Sequence, residues 1–173
     1  MPIRLDYEES CKRLQPKYLD SGIIPKKLPR ARRFSDEGGI SFFRTWMEGD
    51  DLGDLSLPRS FFGKSKIEDV SFHNSDLGES ILCWNDFLGV DFSEASLVGS
   101  DLRASLYVRV DFSCADLRSA DLRLSDFEGC SFEGANMAGC VLTRRIGSQA
   151  ILSPKQQEEI AWVEDEGAEP EGG

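Results

Sequence analysis

The sequence predicts a mainly β solenoid, a chain that turns a corner every five residues and closes a coil every twenty. Two observations carry this. In one frame that holds without insertion from Ile40 to Arg144, the third residue of all 21 five-residue blocks is apolar, although only 40% of the 173 residues are hydrophobic. Blocks twenty residues apart also repeat the same residue type. One column of third positions reads Leu52, Phe72, Phe92, Phe112, Phe132, and the next reads Leu57, Leu77, Leu97, Leu117, Met137. A period of five fits neither the helical 3.6 nor the strand 2.0. Phenylalanine above phenylalanine and leucine above leucine place four blocks in each coil, with coils stacked in register about 4.8 Å apart.

The first position of each block is small. From Ser60 to Cys140 it is Ser, Ala, Val or Cys in 16 of 17 blocks, with Asn85 the exception. Alternating bulky and compact inward residues fill a narrow interior without voids. First and third positions therefore face inward, and the second, fourth and fifth form the outer surface. The 105 repeat residues make a little over five coils, a rod of roughly 25 Å.

Ala115-Asp116-Leu117-Arg118-Ser119, Ala120-Asp121-Leu122-Arg123-Leu124 and Ala135-Asn136-Met137-Ala138-Gly139 resemble the A(D/N)Lxx blocks of the pentapeptide-repeat family. The resemblance covers residues 40–144 and implies a right-handed, four-sided parallel β-helix. The first four blocks depart from it: Ile40, Asp50 and Leu55 are not small, and Trp46 replaces the polar second residue. Regular coils are therefore expected from Ser60.

A core this thin needs hydrogen bonds between coils, and its open ends need covers. At the N-terminus, Asp6 followed by Glu9 is a capping-box pattern, with Tyr7, Cys11 and Leu14 on one helical face and Pro16 to end it. Lys26, Lys27, Arg30, Arg32 and Arg33 then form a basic strap, expected to lie against the acidic repeats. At the other end, Ser153-Pro154-Lys155-Gln156 opens a helix of about ten residues running to Trp162 or Val163. Ile151, Leu152, Ile160 and Trp162 are expected over the last coil. The organisation is thus 1–39 helix and strap, 40–144 β-helix, 145–163 capping segment, and 164–173 an acidic disordered tail.

Net charge is −11, divided as +3 over residues 1–39, −9 over 40–144 and −5 over 145–173. An acidic body repels phosphate, which disfavours direct nucleic-acid binding and favours a basic partner. No run reaches the roughly 20 apolar residues of a membrane span, and no signal-peptide core is present, so a cytoplasmic protein is expected. The five cysteines form no C-x-x-C pair and read as reduced thiols. With one histidine, His73, read as a solvated side chain, and no nucleophile elbow or phosphate-binding loop, the sequence predicts no enzyme, cofactor or metal site.

Two outward features remain. Apolar residues gather on one side as Phe43, Phe61, Ile81, Cys83 and Trp84, and on the adjoining side as Trp46, Leu88, Leu106 and Val108. A contiguous aromatic patch marks either a contact site or a surface that residues 1–39 fold back to cover. Aspartates recur at second positions, including Asp91, Asp101, Asp111, Asp116, Asp121 and Asp126. They read first as caps of local backbone N–H groups, and alternatively as a phosphate-like acidic face. The expectation is a non-catalytic binding protein. The family resemblance implies an immunity protein that covers a cognate bacterial toxin, with a DNA-mimicking protector of gyrase or a structural scaffold as alternatives. A basic toxin or enzyme domain is the expected partner, bound by a monomer or by a dimer joined end to end through the C-terminal helix.

Overall fold

The structure, a computed structural model, describes residues 3–20, 22–28 and 39–165. Arg30, Arg32 and Arg33 of the expected strap, and the expected tail beyond Asp165, lie outside the described residues. The repeat body is a four-sided parallel β-helix. Short strands β1 (Ser41–Phe43), β3 (Phe61–Gly63) and β8 (Val141–Thr143) lie on wall one, where single bridges at Ile81, Asp101 and Asp121 complete the column. Strands β2 (Trp46–Glu48), β4 (Lys66–Glu68), β5 (Asp86–Leu88), β6 (Leu106–Val108) and β7 (Asp126–Glu128) form wall two, a five-stranded parallel sheet. Walls three and four are joined by single bridges, such as Asp91↔Asp111 and Ser96↔Asp116. Every pairing joins residue i to i+20, as the double period predicts.

Registration begins at Ser41, not Ser60, so the first four blocks form a true coil. Their large first-position residues are tolerated because no coil lies above them. Ile40 and Leu55 are buried in the same core cluster as Cys11 and Leu14 of the N-terminal helix.

Inside, third-position aromatics stack coil upon coil. Phe72, Phe92, Phe112 and Phe132 have centroid separations of 5.2, 5.4 and 4.9 Å and interplanar angles of 10–11°. Phe87, Tyr107 and Phe127 form a second stack at 5.1 and 5.0 Å. The two columns meet edge to face, the quadrupole-favoured arrangement. The Tyr107 hydroxyl, fully buried, donates to the Leu102 carbonyl at 2.8 Å.

First-position residues do more than leave room. The Ser65 amide donates to Asn85 Oδ1, the Asn85 amide to Ser105 Oγ, and the Ser105 amide to Ser125 Oγ, at 3.0–3.2 Å. Ser105 and Ser125 hydroxyls donate in turn to the carbonyls of Leu82 and Leu102. Buried backbone groups at this corner are thereby satisfied. Asn85, the size exception, fits because its amide donates to three carbonyls, Phe62, Leu82 and Cys83.

The fifth residue of every block from Arg44 to Gly139 has φ between 51° and 69°, and fourteen of these twenty are not glycine. This left-handed step turns the chain at each corner. It is sterically disfavoured for residues with a Cβ, by roughly 1–2 kcal/mol, so the ladders between coils must hold it in place.

Both ends are closed. Helix α1 (Tyr7–Leu14), capped by Asp6 accepting from the Glu9 amide, buries Ser10, Cys11 and Leu14 on the first coil. Ser10 Oγ accepts from the Ser56 amide, and the Leu5 amide donates to the Asp54 carbonyl. Beyond α1, Lys17 and the Tyr18 hydroxyl both donate to Asp50. Burial opposes ionisation of Asp50, but these two donors outweigh it and lower its pKa.

At the far end, α2 (Arg144–Gly147) leads to α3 (Pro154–Glu159), which has the expected capping box but only six residues. In place of a longer helix, Ile160 turns extended and β9 (Ala161–Val163) pairs with β8. Alanine, tryptophan and valine there satisfy the open edge of wall one, which a helix could not do. Trp162 lies so close over Gly147 that a Cβ would fall 2.5 Å from its ring. Ile160 and part of Trp162 are buried as expected, whereas Ile151 is 94% exposed because it sits in the turn before the helix. The buried Gln156 amide donates to the carbonyls of Phe132 and Ala135 at 2.7 and 3.0 Å, ending the ladder.

Two outcomes follow. Gln156→Ala leaves the Ala135 carbonyl unpaired, while the Phe132 carbonyl keeps the Ala135 amide, and should cost about 1–3 kcal/mol in urea unfolding; a change under about 0.5 kcal/mol, the scale of a surface substitution, would show that the amide is dispensable. Because the Asp50 pKa is depressed on folding, its stabilising link is present above the ordinary carboxylate pKa and is lost as pH falls through the folded value. Amide exchange in α1 should therefore accelerate in acid before the coils open, and Asp50→Asn should remove that pH dependence.

Candidate functional site

The rod exposes four walls of different chemistry. Wall one (blocks starting at 40, 60, 80, 100, 120 and 140) carries five basic and two acidic residues, net +3. Wall two (45, 65, 85, 105, 125) carries two and six, net −4. Wall three (50, 70, 90, 110, 130) has seven acidic residues and no Lys or Arg, net −7. Wall four (55, 75, 95, 115, 135) is net −1, with two basic and three acidic. The most positive and most negative walls thus lie on opposite sides.

The aromatic residues expected on the outside gather on wall one and its corner with wall two. Phe43, Trp46 and Trp84 are 46%, 66% and 67% exposed. Phe61 is half-buried, its ring stacked 5.9 Å from that of Phe43. The Arg44 guanidinium lies 5.2 Å from the Phe43 ring and Lys66 Nζ 5.7 Å from the Trp46 ring. Arg44, Thr45, Trp46, Lys64 and Lys66 line a shallow cleft of about 300 Å³. The described part of residues 1–39 contacts wall three and wall four, through Arg4 to the Asn74 carbonyl, Leu5 to Asp54 and Ser10 to Ser56, and reaches the corner before wall one at Leu28, whose carbonyl accepts from Arg59.

The expected patch needs two corrections. Ile81 is only 6% exposed, in a column where it is bridged to Phe61 on one side and Asp101 on the other. The apolar residues also form two groups: Lys66 and Asp86 stand between Trp46 and Leu106 in their column. Leu88 and Val108 are register partners, both half-buried, next to the exposed Leu106. Leu124, 54% exposed on the wall-one corner, is an apolar outward residue that the sequence reading passed over.

The six aspartates expected as one acidic face do not share a face. Asp101 and Asp121 lie on wall one, Asp126 on wall two, Asp91 and Asp111 on wall three, and Asp116 on wall four. Residues ten apart occupy opposite walls of a twenty-residue coil. Five of the six accept the amide of the residue two further on, Ser93, Arg103, Ser113, Arg118 and Arg123, at 2.8–3.2 Å. Arg103, Arg118 and Arg123 also fork onto Asp101, Asp116 and Asp121. The Arg118 hydrogen bond holds Asp116 below its ordinary pKa. Asp126 instead accepts from Gln149 at 3.4 Å.

His73, expected to be solvated, is half-buried with Nδ1 2.9 Å from Ser93 Oγ. The five cysteines are unpaired, and burial raises the Cys140 thiol pKa to about 12. Among the described residues, no group of three His, Cys, Asp or Glu is placed to hold a metal ion. No helix among them is long and apolar enough to cross a membrane.

Residues 65–103 and 108–144 match the family model described as pentapeptide repeats, in eight copies. No curated protein sequence matches the chain. Among solved structures it is similar to HetL, a pentapeptide repeat protein involved in heterocyst differentiation regulation from the cyanobacterium Nostoc sp. strain PCC 7120. The TM-score is 0.57 at 17% identity, covering 59% of this chain and 48% of that one. The chain thus spans about half the length of HetL. A pentapeptide repeat protein from the Arabidopsis thaliana thylakoid lumen matches at 26% identity and TM-score 0.43, covering 65% of this chain and 71% of that one. QnrB1, a plasmid-mediated fluoroquinolone resistance protein, matches at 12% identity and TM-score 0.36, over 73% and 92%. The HetL likeness supports the fold alone. With the unbroken frame, the i to i+20 pairing and the family match, the repeat body of this chain is a pentapeptide-repeat β-helix.

Proposed function

We propose that the protein is a non-catalytic binding module that acts by covering a partner protein's surface with wall one and its corner to wall two. One observation carries the reading. Trp84 occupies a left-handed corner at φ 61° and is 67% exposed. An indole there bears the left-handed backbone penalty and returns little packing, whereas glycine fills six of the other corners. A large ring kept where the fold gains little from it is best explained by contact outside the fold.

An immunity protein that neutralises a cognate toxin is the specific form we favour, since such a protein need only occlude. A second reading, protection of a type II topoisomerase by DNA mimicry, is favoured by wall three alone, which carries seven carboxylates and no Lys or Arg, although Lys17 and Arg13 of the N-terminal segment pair with Asp50 and Asp51. The Arg-paired Asp101, Asp116 and Asp121 do not support it.

The test is co-purification with the product of the neighbouring gene, using the full chain and Trp84→Gly. Glycine relieves about 1–2 kcal/mol of corner strain and adds about 0.5–1 kcal/mol of chain entropy cost. The melting temperature should therefore hold or rise slightly, while complex formation and relief of toxicity fall by about tenfold or more. A melting temperature several degrees lower would assign the ring to the fold, and an undiminished complex would remove the wall-one reading. Protection of gyrase that is lost in Asp91→Asn/Asp111→Asn would favour the second reading.

A further inference from the structure

The corner between walls one and two stacks Arg44, Lys64 and Trp84 in one column. The Arg44 amide donates to the Gly63 carbonyl, and the Lys64 amide to the Trp84 carbonyl. All three side chains are exposed, with Phe43 on one flank and Trp46 on the other. Among the described residues neither Arg44 nor Lys64 has a carboxylate within ion-pair distance, while Lys66 shares Glu68 at 3.0 Å. The overall charge of −11 suggests a basic partner, yet the exposed rings sit among cations.

We propose that this corner docks an acidic segment of a partner protein that also carries apolar side chains. The proposal rests on the binding-module reading above and names the chemistry of the partner. A carboxylate can take the planar fork of Arg44, and a second one the point charge of Lys64. The exposed parts of the Phe43, Trp46 and Trp84 rings take the apolar side chains between them. Two coil steps separate Arg44 from Trp84, about 10 Å, which is the reach of roughly three extended residues. A basic partner would instead press like charge on like at the rings. A long polyanion such as nucleic acid would overrun the corner onto wall two, at net −4, and be repelled there.

The test titrates the full chain, read by tryptophan fluorescence, with three probes. These are a peptide of about twelve residues of Glu, Asp, Leu and Phe, the same peptide with Lys for each acid, and an oligothymidylate of similar length. The acidic peptide should bind, weaken with added salt, and weaken about tenfold or more in Arg44→Glu/Lys64→Glu. Arg44→Ala/Lys64→Ala should show a smaller loss, and circular dichroism should report unchanged coils in both. Tighter binding of the lysine peptide or the oligonucleotide overturns the proposal. So does no binding of the acidic peptide, or equal binding by the charge-reversed variant. A natural partner lost in Trp84→Gly but held as well or better by the charge reversal leaves the binding-module reading standing and removes this one. A partner held by both variants removes both.

Discussion

Each coil must turn four times in twenty residues, and the backbone does so by entering the left-handed region at every fifth position. Fourteen side chains other than glycine hold that conformation. What keeps them there is the set of hydrogen bonds from one coil to the next, so the corners and the ladders support each other. Neither would persist in an isolated coil. This explains the attention given to the two ends, where α1 at one and Gln156 with β9 at the other satisfy groups that the next coil would have bonded.

The interior shows how little sequence such a tube needs. A bulky residue fills the centre of each wall, and flat rings stack because the coil repeat sets successive centroids 4.9–5.4 Å apart, within the range of offset stacking. Where the compact corner residue is polar, it has a second role as a hydrogen-bonding post. Ser65, Asn85, Ser105 and Ser125 form a polar column within an apolar tube. Asn85, which breaks the size rule, follows the hydrogen-bonding rule of its column.

The five- and twenty-residue periods, the i to i+20 register and the starts of α1 and α3 were legible in the sequence, because spacing and capping are local, whereas the single turn of α2 was not foreseen. The left-handed corners were not, since Arg44, Trp84 and Leu124 have no intrinsic preference for that conformation; stacking imposes it. The length of α3 also escaped, because only the open edge of β8 makes Ala161–Val163 a strand. The wall-one aromatics were legible by register, but the burial of Ile81 depends on column neighbours. The acidic positions were legible and their distribution was misjudged: counting aspartates along the chain hides that successive ones point in different directions.

Opposite charge on opposite walls gives the rod an electric moment across its width. In the field of an approaching molecule such a body experiences a torque about its long axis, where rotation meets little friction. Orientation can then precede contact, so that a charged surface would meet the same side of the rod on most encounters rather than one time in four.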